Sequence, residues 1–142
     1  MTAVALAAAL VSEADVRDVL DQIKDPCSVA ACIPMGLTEM GLIKTVRIDP
    51  AGSVDIELRL TSPFCEMIAF MRNEAMAKVG ALPGVTGVTV RHDTGFDWDH
   101  DLIAPAAQAR RQARLDMLRA LPPALIPDDN APVMSQLAEK VV

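Results

Sequence analysis

The chain has 142 residues, a formal net charge of −6, 51% apolar residues and 23% charged residues. That length suits one domain with a core of its own, and the composition excludes wholesale disorder. Negative charge with only 3% aromatic residues excludes the basic grooves and stacking platforms of a nucleic-acid binder.

Met1 to Val11 is an apolar, alanine-rich arm. It lacks a positive n-region and is too short to span a bilayer, so no membrane partner is expected. Ser12-Glu13-Ala14-Asp15 reads as a capping box with Asp15 in the usual glutamate place. Val16, Val19, Leu20 and Ile23 follow at helical spacing, and Asp25-Pro26 is expected to end that helix. Cys27 to Glu39 holds Pro34 and Gly36 and reads as an irregular loop.

Met40 to Ile48 predicts a strand, and Asp49-Pro50-Ala51-Gly52 a turn. Ser53 to Leu60 then alternates: Val54, Ile56, Leu58 and Leu60 on one face, Ser53, Asp55, Glu57 and Arg59 on the other. That is a half-buried strand, and the pair makes a hairpin. Ser62 and Pro63 suit the cap and first position of a helix. Its apolar stripe would be Phe64, Ile68, Met71, Ala75 and Val79, closed at Gly80. Leu82-Pro83-Gly84 turns the chain into a third strand over Val85 to His92.

A strand–helix–strand connection within one sheet makes its two strands parallel. The predicted fold is therefore an α/β (α+β) two-layer sandwich, a small mixed three-stranded sheet with helices on one face. Beyond His92, acidic residues crowd around Trp98 and His100, and a helix is expected from Pro105 to Arg119. Its Arg110, Arg111, Arg114 and Arg119 either complement the helix dipole or face a partner. From Leu121 the prolines predict an extended or surface-docked tail. The organisation expected is an arm over 1–11, a domain over 12–119 and a Pro-rich tail over 120–142.

Cys27, Cys32 and Cys65 are odd in number, which suits reduced thiols in a cytoplasmic protein. With Ser62 as cap, Cys65 would occupy the third helical position, over free N–H groups that favour a thiolate. The alternative is a small buried hydrophobe. Cys27 and Cys32 form a C-x4-C pair that fits a zinc site, a cluster site or neither. Three thiols are one short of a four-thiolate site, and Asp25, a cluster sulfide, a thiol carrier or a second subunit could supply the missing ligand. His92 and His100 are candidate bases or ligands. No nucleophile elbow surrounds Cys65, and no glycine loop cradles phosphate.

Four blocks in order resemble the small metal–sulfur cluster biosynthetic family that includes PaaD and SufT. They are Asp25-Pro26, Met40-Gly41-Leu42-Ile43, Thr61-Ser62-Pro63-Phe64-Cys65 and Leu82-Pro83-Gly84-Val85. Trp98 also falls near a family tryptophan. Two positions depart from the family pattern: Cys27 replaces a glutamate and Glu66 a proline. The resemblance implies a non-enzymatic iron–sulfur cluster assembly or delivery factor that matures a client metalloenzyme. Cys65 would be the main ligand of a transient iron–sulfur cluster or thiophilic metal, with Cys27, Cys32 and Asp25 assisting. Trp98, Arg110, Arg111 and Arg114 would face a partner, and a homodimer is one way to complete the site. The alternative is an accessory protein of a multicomponent oxygenase that aids its folding or metal loading without carrying a cluster. A thiol enzyme using Cys65 with His92 or His100 is the third class.

Overall fold

The computed structural model describes residues 10–122. The expected N-terminal arm falls outside them up to residue 9, as does the tail from residue 123. Helix α1 (Glu13–Asp21) starts at the expected capping box. The Ser12 hydroxyl accepts the Asp15 N–H at 3.1 Å, and the Asp15 carboxylate accepts the Ser12 N–H at 3.0 Å. The Ser12 hydroxyl also donates to the Asp15 carboxylate at 2.7 Å, and this bond, with the Ser12 N–H, holds the Asp15 carboxyl below its usual range. Val16 and Leu20 are buried, as their spacing requires.

The helix stops at Asp21, earlier than Asp25-Pro26 suggests, and those two residues instead begin α2 (Pro26–Ala30). The expectation of an irregular loop from Cys27 is thus corrected for its first residues. Asp25 is the cap and Pro26 the first helical residue, where its missing N–H costs nothing.

Strands β1 (Ile43–Ile48) and β2 (Ser53–Leu58) form the expected antiparallel hairpin. The Asp49 carboxylate accepts N–H bonds from Ala51 and Ser53 and shapes the turn. Met40 to Leu42 lie before β1 in a turn, because Gly41 takes a φ of +70° there. A Cβ at Gly41 would strike the Leu102 backbone.

Helix α3 (Ile68–Gly80) leads to β3 (Gly87–His92), which pairs parallel with β2. The sheet order is β1-β2-β3, mixed as expected. Val54, Ile56 and Leu58 on β2 meet Met71, Ala75 and Val79 of α3 and Val16 and Leu20 of α1 in one core. The sheet's other face carries charge, including the Arg91–Asp55 ion pair at 2.8 Å. After a short 3-10 turn (His100–Leu102), α4 spans Pro105–Arg119 as predicted. The chain divides into two compact units, the first ending at Arg111. Among the described residues no helix is long and apolar enough to cross a membrane.

Candidate functional site

The thiols lie at the ends of two short connections. Asp25 is buried, and its carboxylate accepts the Ser28 N–H at 2.8 Å. The Ser28 hydroxyl donates to the Asp25 carbonyl at 2.7 Å and accepts the Met35 N–H at 3.0 Å. Asp25 thus fixes the connection. Burial pushes its carboxyl up, against the Ser28 and Cys27 N–H bonds that favour the anion. Cys27 is held between these two residues, exposed at the start of α2.

Cys32 sits past the other end of α2, with a φ of +58°. Its N–H bonds the Val29 carbonyl at 2.9 Å, and the Ile33 N–H bonds the Ser28 carbonyl at 3.0 Å. This is a Schellman C-cap with cysteine where glycine is usual.

Cys65 corrects the sequence expectation. Helix α3 begins at Ile68, three residues later, and its cap Met67 makes no side-chain cap bond. The Ser62 hydroxyl accepts the Phe64 N–H at 3.1 Å, and the Cys65 N–H reaches the Ser62 carbonyl at 3.2 Å. Ser62-Pro63 therefore forms a turn, not a helix start. Cys65 is not over the helix N-terminus, and Phe64, expected in the buried stripe, is 87% exposed. Cys65 itself is half-buried and packs against the core.

The turn sits at the carboxyl ends of β2 and β3, the edge where open α/β sheets place their ligands. Gly95 backs it at a φ of +84°, and a Cβ there would strike the Ser62–Pro63 backbone. Asp93 fixes Gly95 by accepting N–H bonds from Leu60 and Gly95, both at 3.0 Å. Its second oxygen faces the Lys44 ammonium at 3.9 Å. Sequence reasoning missed Ser28, Asp93 and Gly95. The Asp-x-Gly spacing after a strand was the available signal for the last two.

The two connections meet. Burial raises the Cys27 thiol pKa, and the negative charges of Asp25 and Cys65 raise it further. Pro26 and Val29 from α2 line a groove of about 490 Å³ with Met67 and Phe70 from the Cys65 side. Among the described residues, no three His, Cys, Asp or Glu side chains gather as a metal-holding group. The structure brings Cys27 towards Cys65, leaves Cys32 at a helix end and commits Asp25 to a cap.

The residues expected to face a partner hold contacts of their own. The Trp98 indole N–H donates to the Met40 carbonyl at 2.6 Å, and its ring lies 5.1 Å from that of His100. The half-buried indole anchors its loop to the core. Both Glu39 oxygens accept Arg110 Nη2 at 2.9 Å. Burial would raise the Glu39 carboxyl, but the Gly36 N–H and Arg110 outweigh it and lower the pKa. Arg111 is half-buried, and Arg114, in the second unit, reaches the Met117 sulfur at 3.8 Å. His92 is exposed, with Nδ1 2.8 Å from the Asp93 carbonyl.

A family model described as iron–sulfur cluster assembly protein matches residues 13–90, which include Cys27, Cys32 and Cys65. An Fe-S protein maturation auxiliary factor of Porphyromonas gingivalis is 29% identical over 98 residues, covering 69% of this chain and 89% of that protein. An uncharacterized protein of Methanocaldococcus jannaschii is 32% identical over 81 residues, covering 57% of this chain and 80% of its own length. Among solved structures, a domain of unknown function (DUF59) from Bacillus anthracis superposes with a TM-score of 0.61 at 20% identity, covering 70% of this chain and 91% of that domain. That likeness supports the fold.

Proposed function

The chain belongs to the iron–sulfur cluster assembly protein family, and on that footing we propose that it carries an iron–sulfur cluster transiently to a client metalloenzyme. One observation carries the reading. The connections that carry Cys27 and Cys65 flank one groove, with Pro26 and Val29 on one side and Met67 and Phe70 on the other, and Cys27 is exposed. Soft thiolates suit iron–sulfur or another thiophilic metal over magnesium or calcium. Two thiolates hold a cluster incompletely, which suits handing it on. The protein supplies positioning and no catalysis.

Cys65 is the principal ligand and Cys27 its partner. The raised Cys27 pKa keeps that thiol protonated in the resting protein, so ligation there releases a proton. A multicomponent oxygenase is one class of client. The test is anaerobic loading of the wild-type chain and Cys65→Ser with iron and sulfide. Bound iron and sulfide in the wild type and their loss in the variant are expected. Equal loading removes Cys65 from the site and leaves the oxygenase accessory that carries no cluster.

A further inference from the structure

Phe64 and Phe96 are 87% and 82% exposed, the two most exposed large apolar side chains among the described residues. They belong to two turns that touch through their backbones. Gly95 lies so close to Ser62 and Pro63 that a Cβ there would strike both. Each phenylalanine is one residue beyond that contact, so their Cα atoms lie within about 12 Å of each other. Asp93 holds the junction, accepting the Leu60 and Gly95 N–H groups at 3.0 Å each. Two rings are thus presented to water from one fixed place, and apolar side chains gathered in water mark an interaction surface.

The charges beside the rings decide what can cover them. Residues 61–66 and 93–101 contain five acids, Glu66, Asp93, Asp97, Asp99 and Asp101, and no lysine or arginine. Lys44 and Arg59 offset two of the five, facing Asp93 at 3.9 Å and Asp97 at 2.8 Å. Glu66, Asp99 and Asp101 are exposed and form no ion pair among the described residues. A second copy of the chain would bring the same three negative charges against them, and an anionic membrane surface would be repelled in the same way. A cationic surface is attracted.

We propose that Phe64 and Phe96 form a docking surface for a partner protein that presents an apolar face flanked by lysine or arginine side chains. The rings supply the area buried on docking, as aromatic anchors do at protein interfaces. Glu66, Asp99 and Asp101 select the partner by charge and speed its approach. The inference goes beyond the delivery reading and needs no metal at Cys65, so it can fail while that reading stands.

The test uses the full chain without metal and a fluorescent amphipathic peptide of leucine and lysine, with the same pattern in leucine and glutamate as control. Anisotropy should show binding of the lysine peptide, weakened by added salt, and none of the glutamate peptide. Phe64→Ser and Phe96→Ser should each weaken binding about tenfold. Circular dichroism checks that both variants fold. Failure of the lysine peptide to bind overturns the proposal, as does equal binding of the two peptides or an affinity unchanged in both variants. Light scattering adds one more outcome: a wild-type mass of two chains that Phe64→Ser halves would give the surface to a second copy and overturn the cationic partner.

Discussion

Asp25 and Ser28 hold each other reciprocally: the Asp25 carboxylate accepts the Ser28 N–H at 2.8 Å, and the Ser28 hydroxyl donates to the Asp25 carbonyl at 2.7 Å. Pro26 and Cys27 are the residues between them, so this cap fixes where the first thiol sits. Asp25→Ala should cost about 1 kcal/mol, the usual worth of a cap. Asp25→Asn keeps an acceptor and removes a buried charge, so its stability near neutral pH should match or exceed wild type. The folded pKa of Asp25 lies above the ordinary 3.8. Its contribution is therefore full below that value and is lost as pH rises through the folded pKa. Denaturant titrations of both variants at pH 3.5 and 7 check this. An Asn variant as unstable as Ala at pH 7 would contradict the account.

Cys32 holds a φ of +58° at the C-cap of α2, where a side chain is strained and glycine is not. Cys32→Gly should raise stability by about 0.5–1 kcal/mol, the relief of strain less the entropy of an added glycine. Thermal unfolding reads this as a higher midpoint, with cluster loading unchanged. A lower midpoint would show that the Cys32 side chain makes a needed contact.

Burial, Asp25 and Cys65 all push the Cys27 thiol up, in that order. Its alkylation should rise with pH to a midpoint above that of the same cysteine in the unfolded chain. Cys65→Ser removes one neighbouring negative charge and should lower the midpoint, and Asp25→Asn should do the same. Mass spectrometry of Cys27 labelling against pH measures both. A midpoint indifferent to Cys65→Ser would show that the thiols do not sense each other.

Gly95 lies at a φ of +84° against the Ser62–Pro63 backbone. Gly95→Ala should destabilise the protein by about 2 kcal/mol, from a disfavoured φ and a collision with rigid backbone. Because that backbone leads into Cys65, the labelling rate of Cys65 should change as well. Loss of stability with unchanged Cys65 labelling would separate the glycine from the site.

Most of the fold was legible because its signals are local. The alternation over Ser53 to Leu58 and the Ser12–Asp15 box each state one structure, and the structure has both. Two signals carried two meanings. Asp25-Pro26 reads as a helix stop, yet the same pair starts α2. Ser62-Pro63 reads as a helix start, yet the Ser62 hydroxyl turns back to Phe64 and α3 waits until Ile68. Of the candidate site, Cys65 and Cys27 were marked by residue type and order. The Cys65 turn packs against Gly95, which Asp93 fixes, and no local pattern ties those distant residues to that turn. Trp98 was visible as an aromatic in an acidic loop, but its bond to Met40 is long-range.

The central claim is that the Cys65 site hands a cluster to another protein. The most direct measurement is anaerobic transfer from the loaded chain to an apo-ferredoxin, followed by the recovery of acceptor activity. A separate arm offers the acceptor the same iron and sulfide free in solution with Cys65→Ser. The account predicts faster transfer from the loaded wild type, and a rate with the variant no better than without protein. Equal rates from wild type, Cys65→Ser and free iron and sulfide would contradict it.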